Sequence, residues 1–343
     1  EVPEEKEKEK MSGYRVGILG ATGAVGREMM KVLEEYRFPV KELIPLASQR
    51  SAGKNLPFCG EEVTVREATP SAFEGMDIVL GAAENEIAKA FSSDIVKAGA
   101  VFVDNSSAFR MDPEVPLVVP EINGEDAKAH KGIIANPNCS TIITLMAVAP
   151  IARIPPIRKM IASTYQAVSG AGVGGLRDLE NQVKAYAKGE ELVADTFTYR
   201  IGFNLIPCIG SEKERGYTSE EMKMQNEGRK ILHLPELRAT CTCVRVPVLR
   251  SHSISVTVVT EQKVTVEEAR RAISSFPGDI LADDLSGKLY PMPLHSSDKD
   301  EVLVGRIRED LTEENGLSLF CCGDQLRKGA ASNAVQIAQL LIR

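Results

Sequence analysis

Residues 14–26 have the sequence YRVGILGATGAVG, in which a short apolar run ends in a loop of closely spaced glycines. The apolar run, residues 14–19, has the length and composition of a buried strand. Apolar residues at positions 29–33 follow the loop at helical spacing, and a second apolar run occupies residues 43–47. The order strand, glycine loop, helix, strand predicts a β-α-β unit at the start of the chain.

The glycines of this loop, Gly20, Gly23 and Gly26, have the spacing of a phosphate-binding turn. Such a turn brings backbone N–H groups to a pyrophosphate at the N-terminus of the following helix. A tight turn without a ligand has the same pattern, but its position between a strand and an apolar-periodic helix favours a dinucleotide site. The cofactor-binding residues predicted here are Gly20, Thr22, Gly23, Ala24, Val25 and Gly26.

The segment after the second strand, ASQRSAGK at residues 47–54, indicates which dinucleotide binds. An acidic residue in this place accepts hydrogen bonds from the ribose of NAD, whereas an Arg accommodates the additional phosphate of NADP. The segment contains no acid, and Arg50 and Ser51 can both donate to a phosphate. We therefore predict NADP (NADPH) as the cofactor; the alternative is that Arg50 and Lys54 belong to an ordinary solvated loop.

Strands and helices continue to alternate through the first part of the chain. Apolar runs at Ile78–Leu80 and Ala100–Val103 flank a helical pattern at Ile87–Ala98. This alternation predicts a parallel sheet with helices on both faces, which is a Rossmann-type α/β domain.

The pattern changes after Cys139, where longer strand-like runs appear at 157–168, 239–249 and 254–260. The last two flank a predicted turn at 250–252, and together the runs indicate an α+β domain with a mainly antiparallel sheet. A final helical pattern at 328–341 is expected to return to the first domain. We predict a disordered tail at 1–12, an NADP-binding domain at 13–138 and 326–343, and a second domain at 139–325.

Composition and charge exclude several classes of function. The net charge is 41 − 48 = −7, which argues against nucleic acid as a partner, and no apolar run is long enough to span a membrane. The seven cysteines are odd in number, and their spacing suits neither a disulfide framework nor a zinc site. We expect no metal and a reducing compartment: the cytoplasm, or an organelle stroma if a transit peptide has been removed.

The stretch NPNCST at residues 136–141 contains the candidate nucleophile, Cys139. A helical pattern starts just after Cys139, and the positive end of a helix dipole favours the reactive thiolate. A buried structural cysteine is equally compatible with the motif taken alone. A thiol nucleophile requires a base, and of the four histidines His252 has the most suitable position, at a predicted turn beside a rigid sheet.

Several longer segments, in their order along the chain, resemble one enzyme family. They are GATGAVG, LASQRSAGK, VDNSSAFR, NPNCST, STYQAVSGAG, RVPVLRSHS and CGDQLRKGAASNAVQIA. In this combination the chain resembles the aspartate-semialdehyde dehydrogenases from Gly17 to the C-terminus. The resemblance implies that the second domain is a catalytic and dimerisation domain, and that the protein is a homodimer or homotetramer.

The resemblance also implies roles for individual residues. Cys139 is implied to be the nucleophile that forms a thiohemiacetal and a thioester, and His252 the acid/base that takes and returns its proton. Gln166 is implied to orient the acyl group, and Arg245 to clamp the substrate α-carboxylate. The remaining implied contacts are Glu220 with the α-amine, Lys223 and Arg110 with phosphate, Asn138 with the substrate pocket, and Gln325 with the nicotinamide end of the cofactor.

The implied reaction is the reversible conversion of L-aspartyl-4-phosphate and NADPH to L-aspartate 4-semialdehyde and phosphate. It belongs to the synthesis of lysine, threonine, methionine and, in bacteria, diaminopimelate. Two alternatives stay open: an N-acetyl-γ-glutamyl-phosphate reductase and a catalytically inactive NADP-binding relative. One departure from the family pattern is GAAENE at residues 81–86, where many members carry small residues, so that Glu84 brings an acid near the expected cofactor groove.

Overall fold

The computed structural model describes residues 13–342, so the tail predicted at residues 1–12 lies outside the described part of the chain. The chain divides into two compact units, one ending at Pro137 and resuming at Ala330, the other running from Asn138 to Gly329. Within residues 13–342, no helix combines the length and apolarity that crossing a membrane requires.

The first unit contains a six-stranded sheet in which every pairing is parallel. Its spatial order is β5-β2-β1-β6-β7-β8. These strands are β1 (Tyr14–Leu19), β2 (Val40–Ala47), β5 (Arg66–Glu67), β6 (Ile78–Gly81), β7 (Val101–Asp104) and β8 (Ile133–Ala135). A separate hairpin contains β3 (Asn55–Phe58) and β4 (Glu61–Thr64). The helices of this unit are α1 (Ala24–Glu35), α2 (Asn85–Lys97), the short α3 (Pro120–Asn123) and the C-terminal α9 (Ser332–Leu341).

Both faces of this sheet are covered, which explains why its strands are continuous apolar runs rather than alternating ones. The neighbouring residues Ile18 and Leu19 belong to different core clusters, one packed with residues of α1 and α9 and the other with residues of α2. The predicted Rossmann-type domain is therefore confirmed. The C-terminal helix α9 lies in this unit.

The second unit contains a six-stranded mixed sheet in the order β10-β9-β11-β14-β13-β12. Three of its five pairings, β9-β11, β11-β14 and β14-β13, are antiparallel, as predicted for most of the sheet, and the two outermost pairings are parallel. Its strands are β9 (Ile157–Gln166), β10 (Arg238–Arg245), β11 (His252–Thr260), β12 (Asp279–Leu281), β13 (Val302–Glu309) and β14 (Gly316–Gly323). Its helices are α4 (Cys139–Ala152), α5 (Gly172–Lys188), α6 (Ser219–Ile231), α7 (Val266–Ser274) and the short α8 (Pro293–Ser296).

The expectation that His252 lies in a turn between two strands is wrong in detail. His252 is the first residue of β11, and β10 and β11 do not pair with each other. Instead β9 lies between them, parallel to β10 and antiparallel to β11. Consequently the C-terminal ends of β9 and β10 and the N-terminal end of β11 meet at one edge of the sheet.

The helix that follows the candidate nucleophile, α4, is buried on all sides, because residues 140–151 are almost entirely apolar or small. It packs on the sheet against β9, β11, β13 and β14. Along β9 the inward residues alternate with outward ones, so that Ile161 and Tyr165 are exposed on the face away from α4. Tyr165 stacks on Phe320 of β14, with ring centroids 6.3 Å apart, so this open face carries an apolar patch.

Candidate functional site

The dinucleotide site predicted in the first unit has the backbone geometry that a pyrophosphate requires. Gly20 follows β1 with a positive φ of 91°, and Gly23 is the N-cap of α1 without a side-chain cap. A Cβ on Gly26 would lie 2.4 Å from the Gly20 carbonyl oxygen, so only glycine permits the close approach of α1 to β1. The first-turn N–H groups of α1, near Thr22, Ala24 and Val25, have no acceptor within the helix and can bind phosphate.

The ends of the neighbouring strands lie beside this glycine loop. Arg50 and Ser51 lie in a single 3-10 turn directly after β2, the strand that flanks β1 on one side, and Arg50 is exposed. On the other side, Glu84 lies after β6 at the N-cap of α2, and a Cβ on Gly20 would lie 2.7 Å from the carbonyl oxygen of Ala82. The acid that departs from the family pattern is thus close to the glycine loop, and it lines an open pocket of about 460 Å³ with Ala83 and Ser106.

Arg110 is buried in the first unit and held by main-chain carbonyl groups. Its Nε donates to the Asn136 oxygen at 2.9 Å and its Nη2 to the Asn105 oxygen at 2.8 Å. Asn105 follows β7, so the arginine is anchored to the same edge of the sheet as the glycine loop. Its predicted contact with phosphate stays a prediction.

In the second unit, Cys139 is the first residue of α4 and is partly exposed. The N-cap is Asn138, whose Oδ1 accepts from the Ser140 and Thr141 N–H groups. Asn, which accepts hydrogen bonds without carrying charge, is among the most favourable N-cap residues. Gly329 lies against Cys139, since a Cβ on it would be 2.9 Å from the Cys139 Cβ.

His252 is completely buried, and its Nδ1 accepts the Ala167 N–H at 3.0 Å. This bond places the hydrogen of the neutral ring on Nε2, which lies 3.5 Å from the Gln166 Nε2. Burial lowers the pKa of His252 to about 3, with a further lowering from the charge of Arg245 and a partial compensation from Glu220. The imidazole is therefore neutral at physiological pH.

Glu220 accepts hydrogen bonds from side chains of three elements of the second unit. Its Oε1 accepts from the Asn138 Nδ2 at 3.0 Å and the Gln166 Nε2 at 3.2 Å, and its Oε2 accepts from the Lys223 Nζ at 2.8 Å. Burial alone raises the pKa of this carboxyl, but the charge of Lys223 and the hydrogen bonds outweigh it and lower the pKa to about 2. Glu220 and Lys223 form the helix pair that their spacing suggests, and the carboxylate also reaches the predicted catalytic residues.

Arg245 is the last residue of β10 and lies opposite Gln166, the last residue of β9. Its Nη1 donates to the Ala167 oxygen at 2.6 Å, and its guanidinium lies 5.8 Å from the centre of the Phe197 ring. Burial lowers the pKa of Arg245, while the charges of Cys139 and Glu220 act in the opposite direction. The arginine and the nucleophile are thus within electrostatic reach of each other.

The structure brings six of the predicted residues together through hydrogen bonds to one another or to Ala167: Asn138, Gln166, Glu220, Lys223, Arg245 and His252. Cys139 follows Asn138 and lies within electrostatic reach of Arg245. Gln325 borders this group: its Oε1 accepts the Ser251 N–H at 2.8 Å, and its Nε2 contacts the Ser169 hydroxyl. Sequence reasoning missed Gly170, on which a Cβ would lie 2.7 Å from the Arg245 Nη1 and 3.1 Å from the His252 Cε1, as well as Gly329 and Glu227. Only the family resemblance, through SGAG and RKGA, contained a signal for the two glycines.

No group of three or more His, Cys, Asp or Glu side chains in residues 13–342 is arranged to hold a metal ion. Cys241 and Cys243 of β10 are both buried, and their sulfurs are 3.7 Å apart. All seven cysteines are free thiols.

The buried neutral state of His252 predicts a specific pH dependence of stability. Below about pH 6.5 the unfolded chain protonates this histidine, whereas the folded protein does not until about pH 3. As the pH decreases, the free energy of unfolding of the parent should therefore fall more steeply than that of His252→Asn. The difference between the two slopes should reach up to about 1.4 kcal/mol per pH unit. Urea unfolding at pH 7.0, 5.5 and 4.5 measures this difference. His233→Asn, at an exposed position, should follow the parent; parallel curves for the parent and His252→Asn would contradict the assignment.

Two family models match most of this chain. The semialdehyde dehydrogenase NAD binding domain matches residues 15–130, and the semialdehyde dehydrogenase dimerisation domain matches residues 148–328. The chain is 50% identical over 335 residues to the aspartate-semialdehyde dehydrogenase of Aquifex aeolicus (strain VF5), covering 96% of this chain and 98% of that one. It is 47% identical over 337 residues to the Bacillus subtilis (strain 168) enzyme of the same name, covering 96% and 97%.

Two solved structures extend the comparison. The crystal structure of aspartate semialdehyde dehydrogenase II complexed with ASA from Vibrio cholerae has a TM-score of 0.94 and 41% identity, covering 97% of this chain and 99% of that one. Aspartate semialdehyde dehydrogenase with NADP from Candida albicans has a TM-score of 0.75 and 25% identity, covering 96% and 99%. The agreement of domains, sequence and fold over nearly the whole chain shows that it belongs to the aspartate-semialdehyde dehydrogenase family.

Proposed function

We propose that this chain catalyses the reversible, NADPH-dependent conversion of L-aspartyl-4-phosphate to L-aspartate 4-semialdehyde and phosphate through a thioester on Cys139. The observation that carries the proposal is the arrangement of charged and polar groups at the end of β9. The neutral imidazole of His252 and the guanidinium of Arg245 both bind the main chain of Ala167, the ionised Glu220 accepts from Asn138 and Gln166, and Cys139 lies within electrostatic reach of Arg245. The names of the relatives at 43–50% identity support the same reaction.

Cys139 would attack the acyl carbon as a thiolate and displace phosphate, which divides the reaction into two easier steps. The N-terminal position on α4 and the nearby positive charge of Arg245 both stabilise negative charge on the sulfur. Gln166, held by Glu220 and by the Thr164 hydroxyl, would orient the acyl group. NADPH, when bound, supplies the hydride that reduces the acyl carbon.

His252 would move the reaction proton through Nε2, since Nδ1 accepts the Ala167 N–H. In this tautomer the ring donates from Nε2 to the sulfur or to the oxygen of a tetrahedral intermediate. The other half of the acid/base role, acceptance of a proton from Cys139, requires the opposite tautomer and therefore the opening of the bond to Ala167. The resting arrangement consequently favours His252 as a donor.

Substrate recognition follows from the fixed charges of the site. Glu220, ionised and partly satisfied by Lys223, would accept the α-ammonium, and Arg245 would clamp the α-carboxylate. Lys223 and Arg110 would hold phosphate, and Asn138 would shape the pocket. In the first unit the glycine loop, Arg50 and Ser51 would bind NADP, and Gln325 would contact the nicotinamide end.

The two alternative functions receive less support. An N-acetyl-γ-glutamyl-phosphate reductase acts on an acylated amine and has no need of a buried anion at Glu220. An inactive cofactor-binding relative has no need of the connected set Cys139, Gln166, Arg245 and His252.

A homodimer is the proposed assembly, with a tetramer of two dimers as the larger possibility. The matched dimerisation domain supports it. So does the open sheet face, where Ile161 and Tyr165 are 45% and 40% exposed and Phe320 stacks beside them. We further infer that the enzyme works in a reducing compartment, the cytoplasm or a stroma, because the mechanism requires Cys139 to be a free thiol.

The reaction is tested by phosphate-dependent reduction of NADP with aspartate semialdehyde. Cys139→Ala should lower kcat by at least about 1,000-fold, since it removes the nucleophile. Cys208→Ala, at an exposed cysteine, is the matched control and should keep the parent rate. A folded parent that is inactive on aspartate semialdehyde but active on the N-acetylglutamate analogue, or a Cys139→Ala variant with parental activity, would refute the proposal.

The cofactor assignment predicts an effect confined to NADP. Arg50→Gln should raise the KM for NADP by roughly 10- to 100-fold, the equivalent of a lost charge-assisted hydrogen bond, and leave the KM for NAD unchanged. Lys54→Gln, an exposed neighbour in the same loop, is the control. If each variant changes the KM for NADP and the KM for NAD by the same factor, Arg50 does not bind the additional phosphate of NADP.

The dimer is tested by sedimentation at micromolar concentration. Replacing Ile161 and Tyr165 together by Asp should shift the mass from at least 74 kDa, twice the 37.2 kDa chain, to that of a monomer. The reason is that two charges would have to be buried in an apolar interface. Leu311→Asp, at a fully exposed position, controls for added charge. A double variant with parental mass and an intact circular dichroism spectrum would place the interface elsewhere.

A further inference from the structure

Glu227 on α6 is a buried carboxylate to which the proposed mechanism gives no role. Its side chain is on the same face of the helix as Glu220, seven residues and two helical turns away. It is 2% exposed, and its Oε2 accepts the Asn138 N–H at 2.7 Å. Asn138 immediately precedes Cys139, so Glu227 holds the backbone next to the nucleophile.

The bonded N–H group lies at a critical point of the chain. Asn138 is the N-cap of α4, and its own N–H is not part of the helix. A buried N–H without a partner destabilises the fold, and a carboxylate gives it a shorter and stronger hydrogen bond than a neutral acceptor does. The backbone that enters α4 is therefore fixed by a side chain of another helix, in addition to the contacts within the turn.

Glu220 fixes the same residue from a second side. The Asn138 Nδ2 donates to the Glu220 Oε1 at 3.0 Å, while the Asn138 Oδ1 accepts from residues 140 and 141 of α4. One asparagine thus connects α6 at two points with the first turn of α4. Because α6 is continuous from Glu220 to Glu227, both points move together as one rigid element.

We propose that Glu227 is a positioning residue that holds the sulfur of Cys139 in register with the substrate-binding carboxylate of Glu220. This inference rests on the proposed nucleophilic role of Cys139. A displacement of about 1 Å in an attacking atom lowers a catalytic rate by roughly 100-fold. Glu227 binds the backbone beside Cys139, so its effect is expected in the chemical step and not in substrate affinity.

The test compares Glu227→Met, which removes the acceptor, with Glu227→Gln, which keeps an acceptor oxygen at the same distance. Glu227→Met should lower kcat by roughly 10- to 100-fold with the KM for aspartate semialdehyde within about twofold, and Glu227→Gln should restore most of the rate. Alkylation of Cys139 by iodoacetamide does not require alignment with a bound substrate, so it should stay close to the parent rate in Glu227→Met. Glu236→Gln, an exposed carboxylate just beyond the same helix, is the matched control.

A second variant decides the question if Glu227→Met does not fold. Glu227→Asp keeps the carboxylate but withdraws it by one methylene, so it should also lower kcat without changing KM. Parental kcat in a folded Glu227→Met or Glu227→Asp, or a loss confined to KM, would overturn the positioning role. Activity in Cys139→Ala would instead overturn the proposed mechanism itself, so the two failures are distinguishable.

Discussion

The proposed acyl site depends on the hydrogen bonds that the Glu220 carboxylate accepts. This carboxylate is buried, and it stays ionised because Asn138, Gln166 and Lys223 all donate to it. These donors come from the cap of α4, the end of β9 and the helix α6 itself. A half-satisfied buried network destabilises a protein more than an apolar core does, so each member constrains the position of the others. The cap of α4, the end of β9 and the helix α6 are therefore held in one fixed arrangement.

The fold of the first unit could be predicted from sequence because its signals are local. Continuous apolar strands, a glycine loop and a periodic helix each have one simple interpretation, and the loop glycines are required by the approach of α1 to β1. In the second unit three of the six strands, β9, β10 and β11, were recognised, but their pairing was not. The segments that form β10 and β11 are close in sequence, which suggests a hairpin, yet β9 pairs with both. Such a long-range pairing leaves no trace in local pattern.

The residues of the candidate site likewise divide into those that have a local sequence signal and those that have none. Cys139 had a local signal, since a helix starts at it, and His252 was the best of four histidines, but the network that joins them comes from four segments distant in sequence. Glu227 carries no signal at all, because an acid in the middle of α6 has the same pattern as a solvated helix face. Its role depends on which N–H it meets, and only the packing of α6 against α4 determines that.

Some ionisable groups of the site have a fixed charge state, and others are neutral groups whose protonation can change. Glu220 keeps its negative charge and Arg245 its positive charge, whereas burial beside Arg245 keeps His252 neutral. Environments that push titratable groups apart in this way assign their roles. An imidazolium next to Arg245 would add a second buried cation, so a proton on His252 is tolerated only while negative charge is present on the sulfur or on a tetrahedral oxygen. In its resting tautomer the neutral imidazole has its hydrogen on Nε2, which can donate to such a negative charge, whereas uptake of a further proton at Nδ1 would require the bond from the Ala167 N–H to open.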